Sequence, residues 1–106
     1  MQQGRVLRNK VPIGTISKNN GEYTFTYSQE YLNAEDARAI SISLPLDEVH
    51  TSKVLFPFFF NMLAEGSAKR MQCRSLKIDE IDHFTRLLKT TSGDTIGSIT
   101  VQEIIS

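Results

Sequence analysis

The run "GRVLRNKVPIGTISKNNGEYTFTYS", residues 4–28, decides the fold. Breakers divide it into three short apolar runs. Val6 and Leu7 open the first. Val11, Ile13 and Ile16 make the second, interrupted by Pro12 and Gly14. In "KNNG", residues 18–21, Asn and Gly tolerate positive φ, so a tight hairpin is predicted there. Beyond it Tyr23, Phe25 and Tyr27 alternate with Glu22, Thr24 and Thr26, the two-residue period of a half-buried strand with an aromatic face. The three runs read as a curled antiparallel meander. Pro12 has no amide hydrogen to give a ladder, so its strand lies at an edge or carries a bulge.

Outward from there, residues 28–40 are irregular, with one helical turn expected around Ala34–Arg38. "ISISLPL" sets Ile40, Ile42 and Leu44 against Ser41 and Ser43 and reads as a further strand, ended by Pro45. "DEVHTSKV" follows as a polar loop. Pro57, a favoured first-turn residue, opens a helix that is expected to end near Gly66. A second helical stretch is predicted from Ser67 to about Leu76. A third has Asp79 as its N-cap, a stripe of Ile81, Phe84, Leu87 and Leu88, and Gly93 beyond its end. "TIGSITVQEII", with Ile99 and Val101 alternating with polar neighbours, returns as a last strand. Strands, then helices, then a strand define an α+β fold. The expectation is a small twisted, mainly antiparallel sheet of about five or six short strands, with two or three helices packed on it, in one domain over residues 1–106.

Composition narrows the function. A chain of 106 residues fits one domain, and it can bury a core without metals or disulfides, though with little margin. Twelve basic residues balance twelve acidic ones, which argues against a dedicated nucleic-acid binder that neutralises many phosphates. Cys73 is the only cysteine, so no internal disulfide forms, and a reducing cytoplasmic setting is expected. No apolar leader is visible at the start, and no apolar run is long enough to cross a bilayer.

The most apolar stretch is "VLFPFFFNMLAEGSAKR", residues 54–70. In a helix each residue advances by about 100°. With Phe58 at zero, Met62, Phe59 and Leu63 fall within one arc of about 140° and suit a core-facing side. Phe60 falls at about 200°, with Ala64, Ser67 and Met71 near it if the helix continues, while Asn61 and Glu65 take the polar side. Phe60 either tucks into a wide core edge or anchors a partner. A buried aromatic anchor of that kind can contribute about 2 kcal/mol.

The residues offer little for catalysis. No phosphate-cradling glycine loop and no nucleophile elbow occurs. His50 and His83 are isolated. His83 has Asp79 four residues earlier as an available pair, and otherwise reads as a solvated helix histidine. Asp79, Glu80 and Asp82 crowd a helix start, where the helix dipole favours negative charge. Cys73 reads as a space-filling residue, with a reactive thiolate beside Lys69, Arg70 and Arg74 as the alternative. Lys69, Arg70, Arg74 and Lys77 form a local basic cluster, either solvated or facing an acidic surface or phosphates.

Taken in order, "GRVLRNKVPIGTIS", "YTFTYSQEYL", "ISISLPL", "PFFFNMLAEG", "IDEIDHFTRLLKTTSGD" and "IGSITV" resemble the N-terminal subdomain of HipA-type toxin kinases over roughly residues 4–102. In those kinases a much larger kinase core follows in the same chain. Here its nucleotide-binding and catalytic motifs are absent, so the expectation is a protein that is not an enzyme and needs no cofactor or metal. The length resembles that of the HipS antitoxins of tripartite HipBST systems, in which the HipA-like chain is split. The resemblance implies a cytoplasmic bacterial antitoxin that binds and inhibits a HipT-like serine/threonine kinase in trans. It implies contact with a HipB-like DNA-binding protein only through the complex, and no direct nucleic acid or membrane partner.

The family helix commonly has an acidic residue where Phe60 stands, Leu at Met62 and Pro at Ala64. Relatives often place Trp just after the Glu-Gly pair, where this chain has Ser67. Phe60, Ala64, Glu65, Gly66, Ser67, Arg70 and Met71 are therefore the candidate partner-binding residues, in a mode that docks rather than inserts a large aromatic. Two other readings remain: a nucleic-acid-associated subunit using the basic cluster, and a fragment of a full-length HipA kinase.

Overall fold

The computed structural model describes residues 2–47, 49–91 and 99–105. Three strands open the chain, β1 Gln2–Arg8, β2 Val11–Asn19 and β3 Glu22–Tyr27, as the alternation predicts. The β2–β3 hairpin closes at Asn20 and Gly21, both with positive φ, between the paired residues Asn19 and Glu22. Asn9 and Lys10 make the same kind of two-residue turn between β1 and β2 without a glycine.

β2 is an interior strand, so Pro12 marks a bulge and not an edge. The register passes from Val6 opposite Gly14 to Leu7 opposite Pro12, which leaves Ile13 as the extra residue. That one-residue slip lets Ile13 and Ile16, three positions apart, both reach the core.

The next stretch departs from expectation in four places. The helical turn is α1, Gln29–Leu32, capped by the Ser28 hydroxyl, and not Ala34–Arg38. "ISISLPL" is not a strand: among the described residues it makes one isolated bridge, Ser41 with Leu44, and Ile42 is fully exposed. The phenols of Tyr27 and Tyr31 hold this segment instead of a ladder. Tyr27 donates to the Leu44 carbonyl and accepts from the Ile40 amide, while Tyr31 donates to the Arg38 carbonyl and accepts from its amide. The expected polar loop contains β4, Val49–Ser52, an edge strand antiparallel to β3. Finally, the Pro57 helix is only α2, Pro57–Phe60, and Gly66 starts the next helix rather than ending this one.

α3 runs Gly66–Leu76, close to the predicted second helix. α4 spans His83–Thr90, and its N-cap is Asp82, whose carboxylate accepts from the Thr85 amide and hydroxyl. Asp79 instead accepts from the Ile81 amide in the preceding turn, and Ile81 is exposed rather than part of the stripe. The expected stop at Gly93 lies outside the described residues. β5, Ile99–Ile104, is the expected last strand of the sheet, and it pairs antiparallel with β1.

Among the described residues the result is a five-stranded antiparallel sheet in the order β4-β3-β2-β1-β5 with four helical segments. One sheet face carries the core. Val6, Ile13, Ile16, Phe25, Tyr27 and Val101 pack with Phe59, Phe84, Leu87 and Leu88 from the helices. Aromatic edges interlock there: Phe25 meets Phe59 with ring centroids 5.5 Å apart, and Tyr23 meets Phe84 at 5.7 Å.

Candidate functional site

α2 and the turn after it answer the question posed by the phenylalanines. Phe59 and Leu63 are buried, Phe58 and Met62 are half-buried, and Phe60 is 41% exposed. The continuous helix assumed for the angular argument is absent. Even so, the division into a core side and an outer residue holds. Phe60 rests edge-on against the His83 ring, 5.0 Å between centroids.

α3 is weakly embedded. Of its eleven residues only Cys73 is buried. Met71 is 71% exposed and lines a shallow groove with Ser67, Arg70, Arg74 and Ser75. The helix starts at Gly66 with φ +61°, a conformation L side chains rarely adopt, and no atom stands within 4 Å of where a Cβ would be. The glycine is thus required by the backbone and not by crowding.

Six of the seven candidate residues fall on two patches, and Gly66, the first residue of α3, lies between them in the chain. Ser67, Arg70 and Met71 share the outer face of α3. Phe60, Ala64 and Glu65 line a second depression with Lys69, His83 and Arg86. The basic cluster is divided as well. Lys69 reaches Glu80 at 3.8 Å, Lys77 forms the left-handed C-cap of α3, and Arg70 and Arg74 project outward.

Sequence reasoning missed Arg86. Its guanidinium is buried and donates to the Ala64 carbonyl at 2.7 Å and to the Glu80 carbonyl at 3.3 Å. It therefore ties the turn before α3 to the turn before α4. Arg86 also lies 3.2 Å from His83 Nδ1. A guanidinium only donates, so Nδ1 accepts and the neutral ring carries its proton on Nε2. Burial, then the charges of Arg86 and Lys69, hold the His83 pKa below its ordinary 6.5. The anticipated Asp79–His83 pair is replaced by this contact. Among the described residues, no three His, Cys, Asp or Glu side chains gather as a metal site needs. No helix among them is long and apolar enough to cross a membrane.

Comparison with known proteins places this architecture. The family profile of the HipA N-terminal domain matches residues 4–102, nearly the whole chain. The chain belongs to the HipA N-terminal domain family. A solved structure described as the N-terminal domain of HipA toxin superimposes with a TM-score of 0.73 at 22% identity, covering 99% of this chain and 94% of that one. The HipA N-terminal fold is therefore the fold seen here. Among sequences, an uncharacterized protein of Haemophilus influenzae strain Rd is 27% identical over 104 residues, which span 97% of this chain and 93% of that protein.

Proposed function

We propose that this HipA N-terminal domain acts as an antitoxin of the HipS type. It binds a HipT-like serine/threonine kinase in trans, suppresses it by protein contact, and meets a HipB-like DNA-binding protein only through that complex. The domain contributes no reaction of its own in this scheme, and it acts in the cytoplasm. The observation that carries the reading is the exposure of α3: a helix of eleven residues with one buried side chain gains little from its own domain. Its outer face, with Met71, Arg70 and Arg74, offers the apolar and guanidinium contacts that dominate protein interfaces. Membership of the HipA N-terminal domain family supports a role in a HipA-related complex.

The test is to mix the purified chain with its cognate HipA-like kinase. A 1:1 complex and loss of kinase autophosphorylation are expected. Full kinase activity at saturating concentrations of the chain would exclude inhibition, and steeply salt-dependent DNA binding by the chain alone would favour a nucleic-acid role instead.

A further inference from the structure

The proposed function does not account for the charge of Arg86. The residue is 3% exposed, and among the described residues no carboxylate lies within ion-pair distance of it; the pairs present are Lys69–Glu80 and Lys89–Glu103. An interior guanidinium held only by carbonyls and an imidazole nitrogen bears an uncompensated desolvation cost. It has five N–H donors, of which three are engaged, by Glu80, His83 and Ala64. The Nε–H and one Nη2–H remain. No buried side-chain nitrogen among the described residues lacks a partner, so Nε reaches accessible space. Arg86 lines an open depression of about 290 Å³ together with Phe60, Ala64, Glu65, Lys69 and His83.

We propose that this depression is an oxyanion site, which receives one carboxylate or phosphoryl group carried by a partner polypeptide; in naming a polypeptide, it rests on the function proposed above. The guanidinium is a rigid, permanently charged group, and its unengaged Nε–H is the donor it offers an oxyanion. Its orientation is fixed in advance by the Ala64 and Glu80 carbonyls, so little ordering remains to be done on binding. His83 adds the Nε2–H that its contact with Arg86 leaves as the ring's donor. The local field favours anions: the charges acting on His83 are mainly those of Arg86 and Lys69, opposed by Asp82. Phe60 supplies an apolar wall. Glu65 is the opposing carboxylate on that wall, exposed and free to turn away.

The chain alone suffices for the test. Its ¹H–¹⁵N spectrum, including the arginine Nε–H region, is followed while sodium phosphate or sodium acetate is added against sodium chloride at matched ionic strength. The Arg86 Nε–H and the amides of Ala64 and Glu65 are expected to shift saturably with the oxyanion and not with chloride. Saturation by phosphate only assigns the site to phosphoryl groups; saturation by both assigns it to carboxylates as well. No saturable shift with either salt overturns the site. Glu65→Gln removes the opposing charge at an exposed position and is expected to tighten oxyanion binding roughly threefold; unchanged or weaker binding counts against the proposal. Kinase inhibition without oxyanion binding would discard the site and keep the function, and oxyanion binding without inhibition would do the reverse.

Discussion

The Tyr27 hydroxyl donates to the carbonyl of Leu44, seventeen residues further along, and accepts from the Ile40 amide at 3.1 Å. One buried phenol therefore satisfies two backbone groups of a segment that has no ladder. Tyr27→Phe leaves both unpaired in a buried setting, so a loss of about 1–3 kcal/mol is expected, with an unchanged urea m-value. Burial also raises the Tyr27 pKa above 10.0, although the Ile40 amide opposes the shift. The fold thus prefers the neutral phenol, and the stability Tyr27 contributes is present below pH 10 and declines as pH rises beyond it. The Phe variant should lose that alkaline decline. An unaltered midpoint in urea would show that water replaces the phenol at no cost.

Gly14 follows the bulged Ile13 in β2. A Cβ there would stand 2.4 Å from the Thr26 carbonyl oxygen, which is backbone and cannot swing aside. Gly14→Ala should cost about 1–3 kcal/mol through forced displacement of β2 from β3. Gly21→Ala meets no atom within 4 Å and bears only the strain of its left-handed backbone, about 1 kcal/mol. Thermal melts of the two variants should therefore separate, with Gly14→Ala lower.

These two positions also show what the sequence can and cannot convey. The alternation of Tyr23, Phe25 and Tyr27 and the Asn20–Gly21 turn are local signals, and the first three strands follow from them. "ISISLPL" alternates equally well, yet its backbone partner is a side chain far away in sequence, and no local pattern records that. β4 is polar and short, and forms because Tyr23–Thr26 offers it an edge. Asp79 and Asp82 are equivalent caps by type; the Thr85 amide and hydroxyl decide for Asp82. Phe60 and Met71 were legible as off the core arc from their helical angle, which left open whether Phe60 tucks into a core edge or faces outward. Arg86 was not, since it lies on the side of α4 away from the Phe84–Leu88 stripe and is buried only because two turns fold over it.

On the proposed interface, Phe60→Glu and Met71→Glu place a charge where a kinase is expected to bury apolar surface. Met71 is largely exposed in the chain alone, so its variant should stay within about 0.5 kcal/mol of the parent, while Phe60→Glu also loses the edge contact with His83 and should cost about 1 kcal/mol. Affinity for the kinase should fall by about 2 kcal/mol or more, some thirtyfold, for whichever residue is an anchor. Calorimetric titration against the kinase reads this directly. A variant that keeps both fold and affinity removes its residue from the interface.

His83 contributes to the pH dependence of stability on the acid side of neutrality. Its folded pKa lies below 6.5, chiefly through burial and then through Arg86 and Lys69, whereas in the unfolded chain it returns to its ordinary value. Between those two values the unfolded chain binds the extra proton, so stability falls as pH falls; above 6.5 the full contribution is present. His83→Asn keeps an acceptor near the position of Nδ1 for Arg86 but does not titrate. Its stability near neutral pH should change by no more than about 1 kcal/mol, the worth of the edge contact with Phe60. Urea unfolding at a series of pH values from about 5 to 7 should then give a shallower slope than the parent. Equal slopes would mean that the imidazole gains its proton as readily in the fold as outside it, and that the guanidinium of Arg86 does not repel a charge on the ring it touches.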